Sequence, residues 1–209
     1  MYNQIIGIVG PTGSGKSYTA AQIFGQQERA AVYQLVPKDV AYLHYADNVF
    51  DGDMKSLAVA MAQPKFRYIY RTPPESAVVQ GNRFFFPDFE TFVRLCFTRQ
   101  EMLMIVDEAH FLCNPRFMPA EFWQSVVTGR HQFLDIAFVT QRLSMVHHDM
   151  TANAHMFYFW NITEPADLDV IADRCGKDIS ERVRNLRKTI DNRRKGGTVI
   201  PGECLVWKA

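Results

Sequence analysis

Short apolar runs, several of them ended by glycine, proline or a carboxylate, alternate along this chain with stretches of helical spacing. Ile5-Ile6-Gly7-Ile8-Val9 is apolar at both parities, as a strand buried on both faces must be, and residues 18–24 follow it as a predicted helix. Residues 31–36 predict a second strand stopped by Pro37. The stretch 38–53 reads as loop with one helical turn, and 54–63 as a short helix carrying Leu57, Ala58, Met61 and Ala62 before Pro64. Residues 66–71 alternate like a strand, and Pro73-Pro74 with Gly81-Asn82 frame a loop or hairpin ending in Phe84-Phe85-Phe86. Asp88 is the expected cap of a helix reaching Thr98, with Phe89, Phe92, Val93 and Cys96 on its inner face. Further strands are predicted at 102–106, 134–139, 155–160 and 203–207. Helices are expected at 119–131 (inner face Phe122, Trp123, Val126, Val127), 145–154, 167–175 and 178–188. Strand and helix alternation of this kind gives an α/β fold: a mainly parallel sheet with helices on both faces.

Three of the predicted strands end in residues that can do chemistry. After the first comes Gly10-Pro11-Thr12-Gly13-Ser14-Gly15-Lys16-Ser17. Its glycines let the backbone fold tightly so that N–H groups and the positive end of the next helix converge on one anion. Lys16 then reaches the β- and γ-phosphates of ATP and the Ser17 hydroxyl is placed to ligate Mg²⁺, which makes the stretch a P-loop, or Walker A, motif. Met102-Leu103-Met104-Ile105-Val106-Asp107-Glu108 has the Walker B pattern: Asp107 is expected in the Mg²⁺ shell and Glu108 beside the attacking water. Leu134 to Val139 delivers Thr140-Gln141-Arg142, where the neutral amide of Gln141 can orient water or sense the γ-phosphate without competing for a proton.

Composition narrows the possibilities without changing this picture. The 209 residues, 47% of them hydrophobic, fit one P-loop ATPase domain: a core over 1–175, then a helix, a basic stretch and a strand over 176–209. A net charge of +1 demands no nucleic-acid partner, so any such surface must come from local clustering, as in Arg182, Arg184, Arg187, Lys188, Arg193, Arg194 and Lys195. Four widely spaced cysteines without a Cys-x-x-Cys pair, and no signal peptide, read as a reduced intracellular protein. No run approaches the ~18 residues of a membrane span. His147-His148-Asp149 with His155 reads as surface rather than as a metal site, because adjacent helical histidines diverge by about 100°.

Together, GPTGSGKS, MLMIVDEAH and GRHQFLDIAFVTQRLSMVHHDMTANAH resemble the FtsK/HerA superfamily of ring-forming ATPases, over residues 4–175. The resemblance implies a RecA-like P-loop NTPase fold, with Gln141 as the sensor and Arg130 as a finger reaching a neighbouring subunit's nucleotide. Arg142 is the runner-up for that finger. At this length the chain most resembles the genome-packaging ATPases of tailless, membrane-containing double-stranded DNA viruses. Expected partners are therefore double-stranded DNA, copies of the chain in a ring of six, and capsid or portal-vertex proteins. The expected location is soluble in the host cytoplasm, with association at the packaging vertex. Assembly ATPases of filamentous phage, which share the Arg-His and Thr-Gln features, are an alternative, and a small P-loop kinase is a rival from another class. Asp107-Glu108-Ala109-His110 also spells the DEAH box of one helicase class, but those enzymes need a second RecA-like domain for which this length leaves no room.

Overall fold

A computed structural model of the protein describes residues 4–35, 40–80, 83–191, 199–200 and 202–209. The first half runs β1 (Ile5–Val9), α1 (Lys16–Gly25), β2 (Arg29–Gln34), β3 (Asn48–Asp51), α2 (Met54–Ala60) and β4 (Phe66–Arg71). A small antiparallel hairpin, β5 (Val78–Gln80) and β6 (Arg83–Phe85), leads to α3 (Pro87–Arg99) and β7 (Met102–Val106). Then come α4 (Ala120–Thr128), β8 (Leu134–Thr140), α5 (His148–Ala152) and β9 (Met156–Phe159). The chain closes with α6 (Pro165–Cys175), α7 (Lys177–Arg184), β10 (Ile190–Asp191), β11 (Val199–Ile200) and β12 (Leu205–Lys208).

Eight strands form one sheet in the order β12-β9-β1-β8-β7-β2-β4-β3. Its pairings are parallel throughout, except that β12 closes the β9 edge antiparallel, Leu205 opposite Phe159. Alternation along the central strands splits the core into two layers. Ile6, Ile8, Val32, Ile105 and Val139 join Ala20, Ala21 and Phe24 of α1 on one face, together with Tyr42 of a 3-10 turn at Ala41–His44. Ile5, Val9, Tyr33, Met104, Phe138 and Phe157 meet Leu57, Phe92, Phe122, Met150, Ile171 and Val183 of the other helices on the opposite face. Helices thus cover both faces of a mainly parallel sheet, the predicted fold class. The Phe157 ring lies over β1 at Gly7, where a Cβ would stand 2.3 Å from a ring carbon.

Several local expectations are corrected. β2 lies two residues earlier than its apolar pattern indicated, ending at Gln34, and Val36 and Pro37 fall outside the described residues. The stretch read as loop contains an edge strand, β3, which pairs with β4 through Asn48 to Asp51. Asp88 does not cap α3; Phe86 holds that position, and the Asp88 carboxylate instead accepts hydrogen bonds from Tyr33 Oη at 2.8 Å and from Thr72 Oγ1. On α4, Phe122 and Val126 are buried as expected, whereas Trp123 is 46% and Val127 39% exposed. The indole of Trp123 donates to Asp149 Oδ2 at 2.8 Å, which holds it at the surface. The turn expected at Gly81-Asn82 lies outside the described residues. Among the described residues no helix is long and apolar enough to cross a membrane.

Candidate nucleotide site

The strands that end in chemistry are the central ones, so their carboxyl ends meet. Gly10 N donates to Thr140 O at 3.3 Å, which joins the glycine loop after β1 to the end of β8, and Asp107 N donates to Tyr33 O at 3.1 Å, which joins the end of β7 to β2. The loop itself is shaped by glycine in two ways. At Gly15 the backbone takes φ 113°, which a side chain would resist, and at Gly10 a Cβ would come within 2.9 Å of Trp160 Cβ, so the loop lies directly on that indole. Gly15 is also the N-cap of α1, and no side chain caps the helix. A helix N-terminus placed after a glycine loop in this way favours an anion.

Lys16 is 6% exposed and its Nζ donates to Pro11 O at 2.9 Å, so the ammonium is held inside the curl of the loop. Ser17 follows at the start of α1, partly exposed, and Asp107 is buried at the end of β7. Glu108 adopts a left-handed conformation, φ 50° and ψ 49°, an outlier for a non-glycine residue. Gln141 Nε2 donates to Glu108 Oε1 at 2.8 Å, and Gln141 Oε1 accepts from the Thr12 hydroxyl at 2.7 Å. The amide thus bridges the phosphate loop and the acidic strand end. Two buried oxygens here, Glu108 Oε2 and Ser14 Oγ, have no hydrogen-bond partner among the described residues. Buried polar atoms without partners are uncommon in folded proteins, and their concentration beside a glycine loop fits a polar ligand.

Behind Glu108 sits His110, whose significance the sequence offered only as the last letter of a DEAH string. Its Nδ1 is 3.1 Å from Thr140 Oγ1 and 3.5 Å from Glu108 Oε2. Burial is the main force lowering its pKa; the Glu108 carboxylate opposes the shift, and Lys16 and Arg142 add to it. A neutral imidazole therefore backs the carboxylate. Arg142 extends from the same strand end to Asp167, Nε to Oδ2 at 3.1 Å, with Nη2 3.5 Å from Glu164 Oε1. Both acids precede or begin α6, and neither announced itself in the sequence, because the pairing spans 25 residues.

A cavity of about 520 Å³ opens beside the loop, lined among others by Thr12, Gln141, Arg142, Trp160, Asn161 and Lys188. Its size is that of ordinary small-molecule sites. Thr189 Oγ1 donates to Ser14 O at 3.2 Å, so the segment after α7 touches the loop and forms one wall. Arg182, Arg184, Arg187 and Lys188 are exposed, while Arg193, Arg194 and Lys195 lie outside the described residues. Arg130 falls in a 3-10 turn, Gly129–Gln132, immediately before β8, and its side chain lies outside the described residues. Possible ligand atoms of His147, His148 and Asp149 do lie within 4.8 Å of one another, since His147 is the N-cap of α5 and not a helical neighbour of His148. His155 is apart from them, accepting from Ile5 N at 3.2 Å.

A parallel sheet with a glycine loop between its first strand and helix, facing an acidic strand end, defines the P-loop NTPase fold. Solved structures agree. The chain is similar to the genome packaging NTPase B204 of Sulfolobus turreted icosahedral virus 2 in complex with ATP-gammaS, at 16% identity and TM-score 0.71, over 99% of this chain and 92% of that one. It is also similar to B204, the DNA-packaging ATPase of Sulfolobus turreted icosahedral virus, at 19% identity and TM-score 0.67, over 90% of each chain. EssC (ATPases 2 and 3) from Geobacillus thermodenitrificans matches at 13% identity and TM-score 0.51, over 99% of this chain and 37% of that one. At these identities the likeness is one of fold, and it bears out the P-loop NTPase fold expected from the motifs. No protein-family profile matches the sequence, and no curated protein does.

Proposed function

We propose that this chain is an ATP-hydrolysing motor that moves double-stranded DNA, and that its task is to package a viral genome into a preformed capsid. The observation that carries the reading is the Thr12–Gln141–Glu108 chain of hydrogen bonds, which ties a phosphate-binding loop to a candidate general base through a neutral amide. That arrangement suits hydrolysis of a terminal phosphate by water. The similarity in fold to two viral proteins described as genome packaging NTPases points the same way.

In this reading residues 10–15 and Lys16 bind the phosphates, Glu108 takes a proton from the attacking water, and Gln141 orients that water and reports on the terminal phosphate. Ser17 and Asp107 offer hard oxygen donors of the kind Mg²⁺ takes, and the ion, when bound, neutralises charge on the phosphate oxygens. The whole chain works as one ATPase domain, and the segment after residue 175 contributes both a sheet strand and a cavity wall. Copies assemble as a ring of six in which Arg130 reaches the neighbour's nucleotide, the exposed cations around Arg182 to Lys188 contact DNA phosphates, and a capsid vertex in the infected cell receives the assembly.

Turnover measured with and without double-stranded DNA tests the proposal. DNA should raise ATP hydrolysis, and the stimulation should fall as salt rises, because phosphate contacts release counterions. Turnover indifferent to DNA but accelerated by a small-molecule phosphate acceptor would replace the motor with a kinase.

A further inference from the structure

Arg142 stands one residue beyond Gln141, and two sets of bonds fix it to its own chain. Its N–H donates to Thr140 Oγ1 at 3.2 Å, and the same hydroxyl donates to its carbonyl at 3.2 Å, so the backbone is pinned at the strand end. Its Nε donates to Asp167 Oδ2 at 3.1 Å. Asp167 is itself a fixed anchor: it is 1% exposed and accepts a second bond, from Ser144 N, at 2.8 Å. An arginine that served another subunit would have to abandon this carboxylate, and an unpaired buried carboxylate is costly.

The guanidinium is nevertheless not consumed by its acids. Arginine presents five N–H donors, while Asp167 engages Nε and Glu164 lies 3.5 Å from Nη2. The side chain remains 41% exposed and lines the cavity shared by Pro11, Thr12, Ser14 and Gln141. Anchored at one edge and open at the other, a guanidinium has the form suited to phosphate oxygens.

We infer that Arg142 acts within its own subunit, meeting the terminal phosphate of a nucleoside triphosphate bound at residues 10–17, with Asp167 as the residue that positions it. This reverses the expectation that Arg142 is a second choice for a finger working across a subunit interface. The inference rests on the nucleotide-site reading given above and is independent of DNA.

The test compares binding of fluorescent derivatives of a non-hydrolysable ATP analogue and of ADP, with magnesium, at a dilution where the protein is monomeric. Arg142→Gln should weaken the triphosphate by about ten- to a hundredfold, the loss of one or two charge-assisted hydrogen bonds, and weaken the diphosphate far less. Because that variant leaves Asp167 unpaired, the double variant Arg142→Gln with Asp167→Asn removes the buried charge as well and should show the same selective loss while folding normally. Asp167→Asn alone keeps the cation but frees it, and should give a smaller loss of the same kind. Equal losses for both nucleotides, or none in the double variant, would overturn the inference. So would a selective loss seen only when subunits are concentrated enough to assemble. Wild-type protein that binds neither nucleotide overturns the nucleotide site itself.

Discussion

Gln141 donates its amide hydrogen to Glu108 Oε1 at 2.8 Å while its carbonyl oxygen takes the Thr12 hydroxyl at 2.7 Å. An amide can orient a carboxylate by a hydrogen bond without placing a full opposing charge beside it. The bridge also makes the acid answerable to the loop: anything that moves Thr12 disturbs Glu108. If Glu108 is the base, Glu108→Gln should leave ATP binding largely intact and lower hydrolysis by roughly a hundredfold or more. Gln141→Ala, which frees the carboxylate from its bridge, should lower turnover by up to about a hundredfold, again with little change in affinity. Steady-state hydrolysis beside equilibrium binding checks both, and near-normal turnover in Glu108→Gln would remove that residue from the chemistry.

Lys16 supplies a sharper test of binding. Its ammonium is already inside the loop, on Pro11 O at 2.9 Å, and a phosphate would take over that position. A ligand present at about a hundred times its dissociation constant stabilises a fold by about 2.7 kcal/mol. Thermal melts with and without magnesium-ATP should show that gain in the wild type and lose it in Lys16→Ala. A melting temperature that rises equally in both would place the nucleotide elsewhere.

What sequence made legible follows from where each residue sits. β1, β7 and β8 are central and parallel, buried on both faces, so their apolar runs carry no ambiguity, and the residues ending them were placed correctly. β3 was missed because an edge strand needs to bury little: in Asn48-Val49-Phe50-Asp51 only Phe50 is buried. Trp123 and Asp88 were misread for one reason. Each follows a local rule, helix face for one and N-cap for the other, until a partner distant in sequence, Asp149 or Tyr33, offers a better bond. The same holds in the site. Its motif residues were legible, but Thr12 with Gln141, His110 with Thr140, and Arg142 with Asp167 depend on elements that meet only in the fold.

Tyr33 measures how firmly the acidic strand end is supported. Its ring is fully buried, its hydroxyl donates to Asp88 Oδ1 at 2.8 Å, and its carbonyl accepts the N–H of Asp107. Burial, reinforced by the Asp88 carboxylate, pushes the phenol pKa upward, so it remains a donor. Tyr33→Phe preserves the packing but removes one of the hydrogen bonds that Asp88 accepts, while the bond from Thr72 remains. A loss of about 1–3 kcal/mol is expected, the usual cost of removing a hydrogen bond to a charged group. Chemical denaturation should show a lower midpoint with an unchanged slope; an unchanged midpoint would mean that the bond contributes nothing net.

Asp135 predicts a pH dependence of the opposite sign to that of a paired carboxylate. It lies on β8, at the end of the sheet away from the nucleotide site, and Gln4 N donates to its Oδ1 at 2.6 Å. Burial raises its pKa above the ordinary 3.8, and it outweighs the Gln4 hydrogen bond and the influence of His155, both of which lower it. A carboxyl raised in the fold stabilises below its unfolded pKa and loses that contribution as pH rises through the folded value. At neutral pH the wild type therefore carries a charge that the fold disfavours. Asp135→Asn retains the oxygen that accepts from Gln4 and removes the charge. The variant should melt higher than wild type at neutral pH, and the gap should close as pH falls toward 3.8. Melting curves of both proteins across that interval decide it: a gap that is absent at neutral pH, or that widens on acidification, would show that the charged form is the one the fold prefers.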